Sequence, residues 1–237
     1  MSAADIAKFS GAINYEFKDR SLLREALTHR SYAAEAQLKY DNQRLEFLGD
    51  AVLEIILSEY VYRLLPDATE GAMTKLRSAL AQEPALARIA RMFGLGDFLL
   101  MGRGEQEAGG ENRDSTLCDL FEAVLGAVYL DGGLEAAREF AIRAVTAAFP
   151  EPEKLLVMLN PKGTLQEFTQ HKWGETPQYV LVDRQGPDHC REFTCKVTAA
   201  GMEALGSGGS RRLAEGEAAR KLIGIIAESD PSIKDFI

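Results

Sequence analysis

Two carboxylates sit where a folded chain can least tolerate them. Residues 45–65 are apolar on almost every side, through Leu45, Phe47, Leu48, Ala51, Val52, Leu53, Ile55, Ile56, Leu57 and Val61, and contain no proline. A helix that is apolar around its whole circumference is a buried helix. Glu46 and Asp50 lie inside this run, four residues apart and therefore on one helical face. A buried carboxylate must be protonated, paired with a base or bound to a cation. Residues 118–127 pose the same problem, because Asp119 and Glu122 are three residues apart within a second apolar run. Two such helices packed side by side collect four carboxylates. An oxygen-only set of this kind suits Mg2+ or Mn2+, which activate water and stabilise the attacking and leaving oxygens of a phosphodiester. The plainer reading is that each acid forms an ordinary ion pair, with Arg44 or Arg77 for example. Spacing alone gives a metal site of unspecified chemistry.

The rest of the first 148 residues also reads as helical. Helices are expected at 73–82 and 84–93, with Pro84 tolerated in a first turn. Residues 102–110 form a loop rich in glycine and charge. Asp114 or Ser115 then caps a helix that runs through Leu130 and stops at Asp131-Gly132-Gly133. An amphipathic helix follows over 134–149. Pro150, Pro152 and Pro161 interrupt the pattern. Beyond them the chain predicts a helix at 162–172 with Leu165 and Phe168 facing a core. Strands are expected at 178–183 and 192–198 and, more weakly, at 202–206. A glycine-rich turn at 206–210 leads into a last helix at 211–228. The expected architecture is an all-α domain over 1–148, a linker over 149–159, a small α+β domain of order α-β-β-β-α over 160–229, and a tail over 230–237.

The formal charge of −9 argues against a polyanionic partner when taken whole. It is unevenly spread: from Asn160 onward there are 10 Lys+Arg and 11 Asp+Glu, leaving 17 and 25 for the first part. The C-terminal part is thus near neutral, and the acidic excess lies with the carboxylate helices. No apolar run approaches the ~20 residues of a membrane span, so no membrane partner is expected. The first nine residues lack a basic segment followed by an apolar one. Three cysteines, Cys118, Cys190 and Cys195, suit reduced thiols in a cytoplasmic protein.

The string Asn42-Gln43-Arg44-Leu45-Glu46-Phe47-Leu48-Gly49-Asp50 closely resembles the signature of the ribonuclease III family. Residues 27–32, the Glu70-Gly71 helix start and the Asp119-Leu120-Phe121-Glu122 motif resemble further family elements, in family order. The resemblance implies that Glu46, Asp50, Asp119 and Glu122 hold Mg2+, with Mn2+ able to substitute, and that Asp50 and Glu122 are closest to the chemistry. It implies an accessory place for Glu70 near the RNA and the dimer seam. It also implies that Phe47 and Leu48 pack against a second copy, making a homodimer with two centres along one valley. The alternative for Phe47 is ordinary core. Family members often carry glutamate where this chain has Gln43, a position linked to RNA contact and choice of cut site. His29 could tempt a general-base assignment, but a lone histidine here is read as structural. Glu105, Glu107, Glu111 and Asp114 are read as a solvated face.

The C-terminal part resembles a double-stranded RNA-binding domain. A-form RNA is read by shape, through contacts across two minor grooves and the phosphates between them. The resemblance implies contacts from Thr164, Gln166 and Glu167 on the first helix, from Pro187 and His189 in a Gly-Pro-x-His loop, and from Arg211 and Arg212 at the start of the last helix. Glu215 and Glu217 depart from the more basic family pattern, and Asp188 adds a negative charge to the loop. Zinc held by His171, Cys190 and Cys195 is disfavoured by their spacing. The expected protein is an endoribonuclease that cuts double-stranded RNA by Mg2+-assisted hydrolysis, leaving 5′-phosphate and 3′-hydroxyl ends, and matures ribosomal and some messenger RNAs. The alternative is a binding protein that keeps the fold without the chemistry.

Overall fold

The computed structural model describes residues 3–155, 160–187, 191–230 and 232–233. It divides into two compact units, Met1–Pro66 with Met73–Pro150, and Asp67–Ala72 with Glu151–Ile237.

The first unit is helical. Its helices are α1 (Ala3–Ile13), α2 (Arg20–Ala26), α3 (Arg30–Glu35), α4 (Gln43–Leu64), α5 (Glu70–Ala81), α6 (Glu83–Met92), α7 (Arg103–Glu107) and α8 (Asp114–Ala148). α5 begins in the short segment that groups with the second unit. α8 forms the spine of the unit, burying Leu117, Leu120, Phe121, Val124, Leu125, Val128, Phe140 and Val145, among others. Each fully buried side chain of this size contributes ~1.5–3 kcal/mol against leaving it in water. α4 packs against α8 and buries Leu45, Val52, Leu53, Ile56, Leu57 and Val61.

Two expectations change here, while the expected stop at Asp131-Gly132-Gly133 is kept: Gly133 is non-helical, with φ 81° and ψ −178°, and this kink parts α8 into two helical stretches. Asp114 does not cap α8; its carboxylate is committed to an ion pair with Arg91 on α6. α4 is not buried all round, because Phe47, Ile55 and Tyr62 are 81%, 59% and 70% exposed. These three fall within about a quarter-turn of one another on the helix and make an apolar stripe.

Asp131, just before the kink, ties the N-terminal segment to the spine. Its carboxylate accepts hydrogen bonds from the Tyr15 hydroxyl (2.7 Å), the Lys18 amide (3.0 Å) and the Asp19 amide (2.8 Å).

The second unit follows the expected order. It comprises α9 (Pro161–Trp173), β1 (Gln178–Gln185), β2 (Glu192–Ala199), β3 (Met202–Gly208) and α10 (Arg211–Ser229), with an antiparallel sheet ordered β1-β2-β3. Leu165, Phe168, Val197, Leu222, Ile223 and Ile226 build its core. All three strands run longer than expected, β2 by one residue. A register shift between Leu181 and Asp183 carries β1 on to Gln185. β3 continues through Gly206, which is not part of a turn: a Cβ there would lie 2.1 Å from the Ala218 amide nitrogen of α10. The glycine marks a close approach of strand and helix backbones.

Candidate active site and nucleic-acid interface

α4 and α8 cross at two glycines. A Cβ on Gly49 would lie 1.8 Å from the Glu122 carbonyl oxygen, and one on Gly126 2.3 Å from the Leu45 carbonyl oxygen. Contact this close requires bare backbone on both helices. It sets Glu46 and Asp50, on the turns around Gly49, opposite Asp119 and Glu122, on the turns before Gly126. Glu122 feels the charge of the other three.

Glu46, Asp119 and Glu122 are half-buried, whereas Asp50 is exposed. Burial, and then repulsion from Asp50, Asp119 and Glu46, pushes the Glu122 carboxyl up to about 8. Burial and then Glu83 raise Asp119, with His29 and Arg30 pulling the other way. Burial and then Asp119 and Asp41 raise Glu46. The ion pairs that would explain these acids plainly are not found among the described residues. Arg77 instead pairs with Glu54 (Nε to Oε2, 3.1 Å) and donates to the Ser58 hydroxyl (3.0 Å); Arg44 is exposed.

Cys118 joins this cluster, a placement that sequence reading missed. Its Sγ and carboxylate oxygens of Asp119 and Glu122 lie within 4.8 Å of one another. The thiol points at Glu122 Oε1 (3.9 Å). An i, i+4 count from Cys118 to Glu122 would have found it. Burial, and then the charge of Glu122, push the thiol up, so it stays protonated and is a poor ligand for a hard cation. The carboxylates are the fitting donors: unpaired, mutually repelling oxygens suit a hard divalent ion.

His29 is the N-cap of α3. Its Nδ1 accepts from the Ser31 amide (3.3 Å) and contacts the Ser31 hydroxyl (2.8 Å), and burial lowers its pKa. That is a structural place. Glu105 and Asp114 are partnered by Arg113 and Arg91. Gln43 opens α4 and Glu70 opens α5, both exposed. Phe47 is not core, and Leu48 beside it is half-buried.

In the second unit Gln166, Glu167, Pro187, Arg211 and Arg212 are exposed. Thr164, in the first turn of α9, is 6% exposed, unlike these five. Asp188, His189 and Cys190 lie outside the described residues, as do residues 156–159 of the expected linker. Cys195 is buried, and its thiol points at the Arg211 carbonyl (3.9 Å), so it is core and not a zinc ligand.

Residues 19–148 match the family model described as Ribonuclease-III-like, and residues 161–224 match the double-stranded RNA binding motif. Fold and site therefore define a ribonuclease that carries its own double-stranded RNA-binding domain. The chain is 46% identical over 213 residues to Ribonuclease 3 of Symbiobacterium thermophilum, with 90% of each chain covered. It is 42% identical to Ribonuclease 3 of Pseudothermotoga lettingae, covering 91% of this chain and 93% of that one. The solved nuclease domain of ribonuclease III from Campylobacter jejuni matches with 42% identity and a TM-score of 0.59, over 64% of this chain and 99% of that one. A second structure of that domain, described in terms of flexibility in a region involved in dimer formation, matches with 43% identity and a TM-score of 0.58, over 61% of this chain and 99% of that one. The chain belongs to the ribonuclease III family.

Proposed function

We propose that the chain is an endoribonuclease that cuts double-stranded RNA by Mg2+-assisted hydrolysis, with Glu46, Asp50, Asp119 and Glu122 holding the metal. The observation that carries this reading is the crossing of α4 and α8 at Gly49 and Gly126, which gathers four carboxylates with no ion pair to a basic side chain among the described residues. Mg2+ bound there supplies activation of water and charge stabilisation at the scissile phosphate. The protein's part is to hold the four acids fixed on two rigid helices, where a bound cation would favour their deprotonated forms. Asp50 and Glu122 stand closest to the reacting atoms. Glu122 is the most deeply set electrostatically, and a cation relieves the repulsion that raises it. Mn2+ offers the same oxygen preference and substitutes.

The products are 5′-phosphate and 3′-hydroxyl ends with a short 3′ overhang, and the substrates are ribosomal RNA precursors and some messenger RNAs in the cytoplasm. The apolar stripe of Phe47, Ile55 and Tyr62 supports a homodimer, since large apolar side chains exposed in a row are costly to leave in water. In the dimer two centres each cut one strand. Gln43 and Glu70 serve at the RNA-facing edge and the dimer seam. Gln166, Glu167, Pro187, His189 and the start of α10, where Arg211 and Arg212 lie, serve duplex binding, within the domain bounds 1–148 and 160–229. A binding protein without chemistry is disfavoured, because all four acidic positions are filled.

The test is incubation of a long RNA duplex with the chain and Mg2+, with and without chelator. Cleavage to short duplexes that stops with chelator is the expected result. Intact duplex in both arms, with binding preserved, would favour the non-catalytic alternative.

A further inference from the structure

The two arginines that open α10 do not stand alike. Arg211 turns back along its helix, and its Nε donates to Glu215 Oε1 at 2.8 Å. Glu215 also holds Lys162 of α9 through its second oxygen. The Lys162 ammonium in turn lies 4.4 Å from the centroid of the Tyr179 ring on β1. The Tyr179 hydroxyl is buried without a hydrogen-bond partner among the described residues. Glu215 is therefore the hub of a clamp joining α9, β1 and α10. Its side chain is only 12% exposed, so its charge is poorly screened and requires its two cations. Burial pushes its carboxyl up, and the hydrogen bonds from Lys162 and Arg211 outweigh this and hold it low. Arg212, by contrast, is exposed and has no ion pair among the described residues. Glu217 pairs with Arg220, one turn further along.

We propose that Glu215 is a positioning residue of the RNA-binding domain, which withholds Arg211 and Lys162 from phosphate and leaves Arg212 as the arginine that contacts the RNA backbone. The carboxylate acts as an internal counter-ion near the N-terminus of α10, where phosphate would otherwise collect cations. The contact fixes the angle between α9 and α10, the two helices that present groups to the duplex. It also lowers the number of phosphates that the domain neutralises. This inference rests on the duplex-binding reading of the second unit.

The experiment is a salt series of duplex RNA binding by the full chain, read by fluorescence anisotropy in chelator so that no cutting occurs. Each neutralised phosphate adds about 0.9 to the slope of log K against log salt. Arg212→Ala is expected to weaken binding and flatten the slope by about that amount for each bound domain. Arg211→Ala is expected to leave the slope as it is. Glu215→Gln is expected to tighten binding and steepen the slope, and adding Arg211→Ala to it takes back about half of that increase, the remainder belonging to the released Lys162. Equal flattening by Arg211→Ala and Arg212→Ala overturns the inference, and so does an unchanged slope in a folded Glu215→Gln protein. If Glu215→Gln unfolds the domain, the comparison of the two arginines still decides. Absence of duplex binding by the unaltered chain would instead overturn the underlying reading of the domain.

Discussion

Gly49 and Gly126 face one another where α4 crosses α8: the position of a Cβ on Gly49 is 3.0 Å from the Gly126 amide nitrogen, and the position of one on Gly126 is 3.1 Å from that of Gly49. The same contact holds the spine of the first unit together and sets the spacing of the four acids. Gly126→Ala and Gly49→Ala must push the helices apart. Overpacking of this kind costs about 1–3 kcal/mol. Each variant is expected to lose that stability in urea denaturation. Each should also lose cleavage activity at temperatures where it remains folded, because the acids on opposite helices separate.

The exposed stripe of α4 predicts the oligomeric state. Phe47→Asp places a charge in the middle of the apolar patch. An aromatic anchor of this kind contributes about 2 kcal/mol or more to an interface. Sedimentation is expected to show a dimer for the unaltered chain and a monomer for the variant at the same concentration. A dimer of unchanged affinity in Phe47→Asp would remove this surface from the interface.

Asp131 predicts how stability depends on acid. Burial raises its carboxyl, but hydrogen bonds from the Asp19 and Lys18 amides and the Tyr15 hydroxyl outweigh this and hold it below the ordinary value. A group lowered in the folded state adds stability above its unfolded pKa and loses it as the pH falls through the folded one. Asp131→Asn is expected to cost about 1–3 kcal/mol near neutrality. The difference between variant and unaltered chain should shrink once the pH drops below about 4. A difference independent of pH across that range would show that the charge of Asp131 contributes nothing.

Much of this was legible in the chain before its structure. Apolar periodicity located both carboxylate segments, and alternation located the strands. The misses have specific physical causes. The circumference of residues 45–65 reads as uniformly apolar, yet Phe47, Ile55 and Tyr62 face outward. Periodicity reports apolar character and cannot tell a core from a face awaiting a second copy. Gly206 looks like turn punctuation but serves the contact of β3 with α10, a relation between residues distant in sequence. Thr164 has the chemistry of a groove contact but is only 6% exposed, which composition does not reveal. Cys118 reads as one more apolar residue of its run, yet its thiol lies one turn before Glu122 on the same face of α8. The division of labour between Arg211 and Arg212 depends on Glu215, which lies four residues beyond the first of them.

Metal dependence predicts a graded response among the four acids. Altering groups that merely support a metal ligand costs about 10–100-fold in affinity or activity; loss of a ligand itself costs more. Glu46→Gln and Asp119→Asn are expected to shift the Mg2+ concentration needed for half-maximal cleavage upward, with Mn2+ recovering part of the loss. An unchanged Mg2+ requirement in both would place the metal elsewhere.

The most direct measurement is the rate of duplex RNA cleavage by the Glu122→Gln chain in Mg2+, alongside its binding of the same duplex in chelator. The account predicts cleavage reduced by more than about 100-fold, with duplex binding and fold retained. Cleavage at close to the rate of the unaltered chain would contradict it, because the carboxylates gathered by Gly49 and Gly126 would then not be the reacting centre.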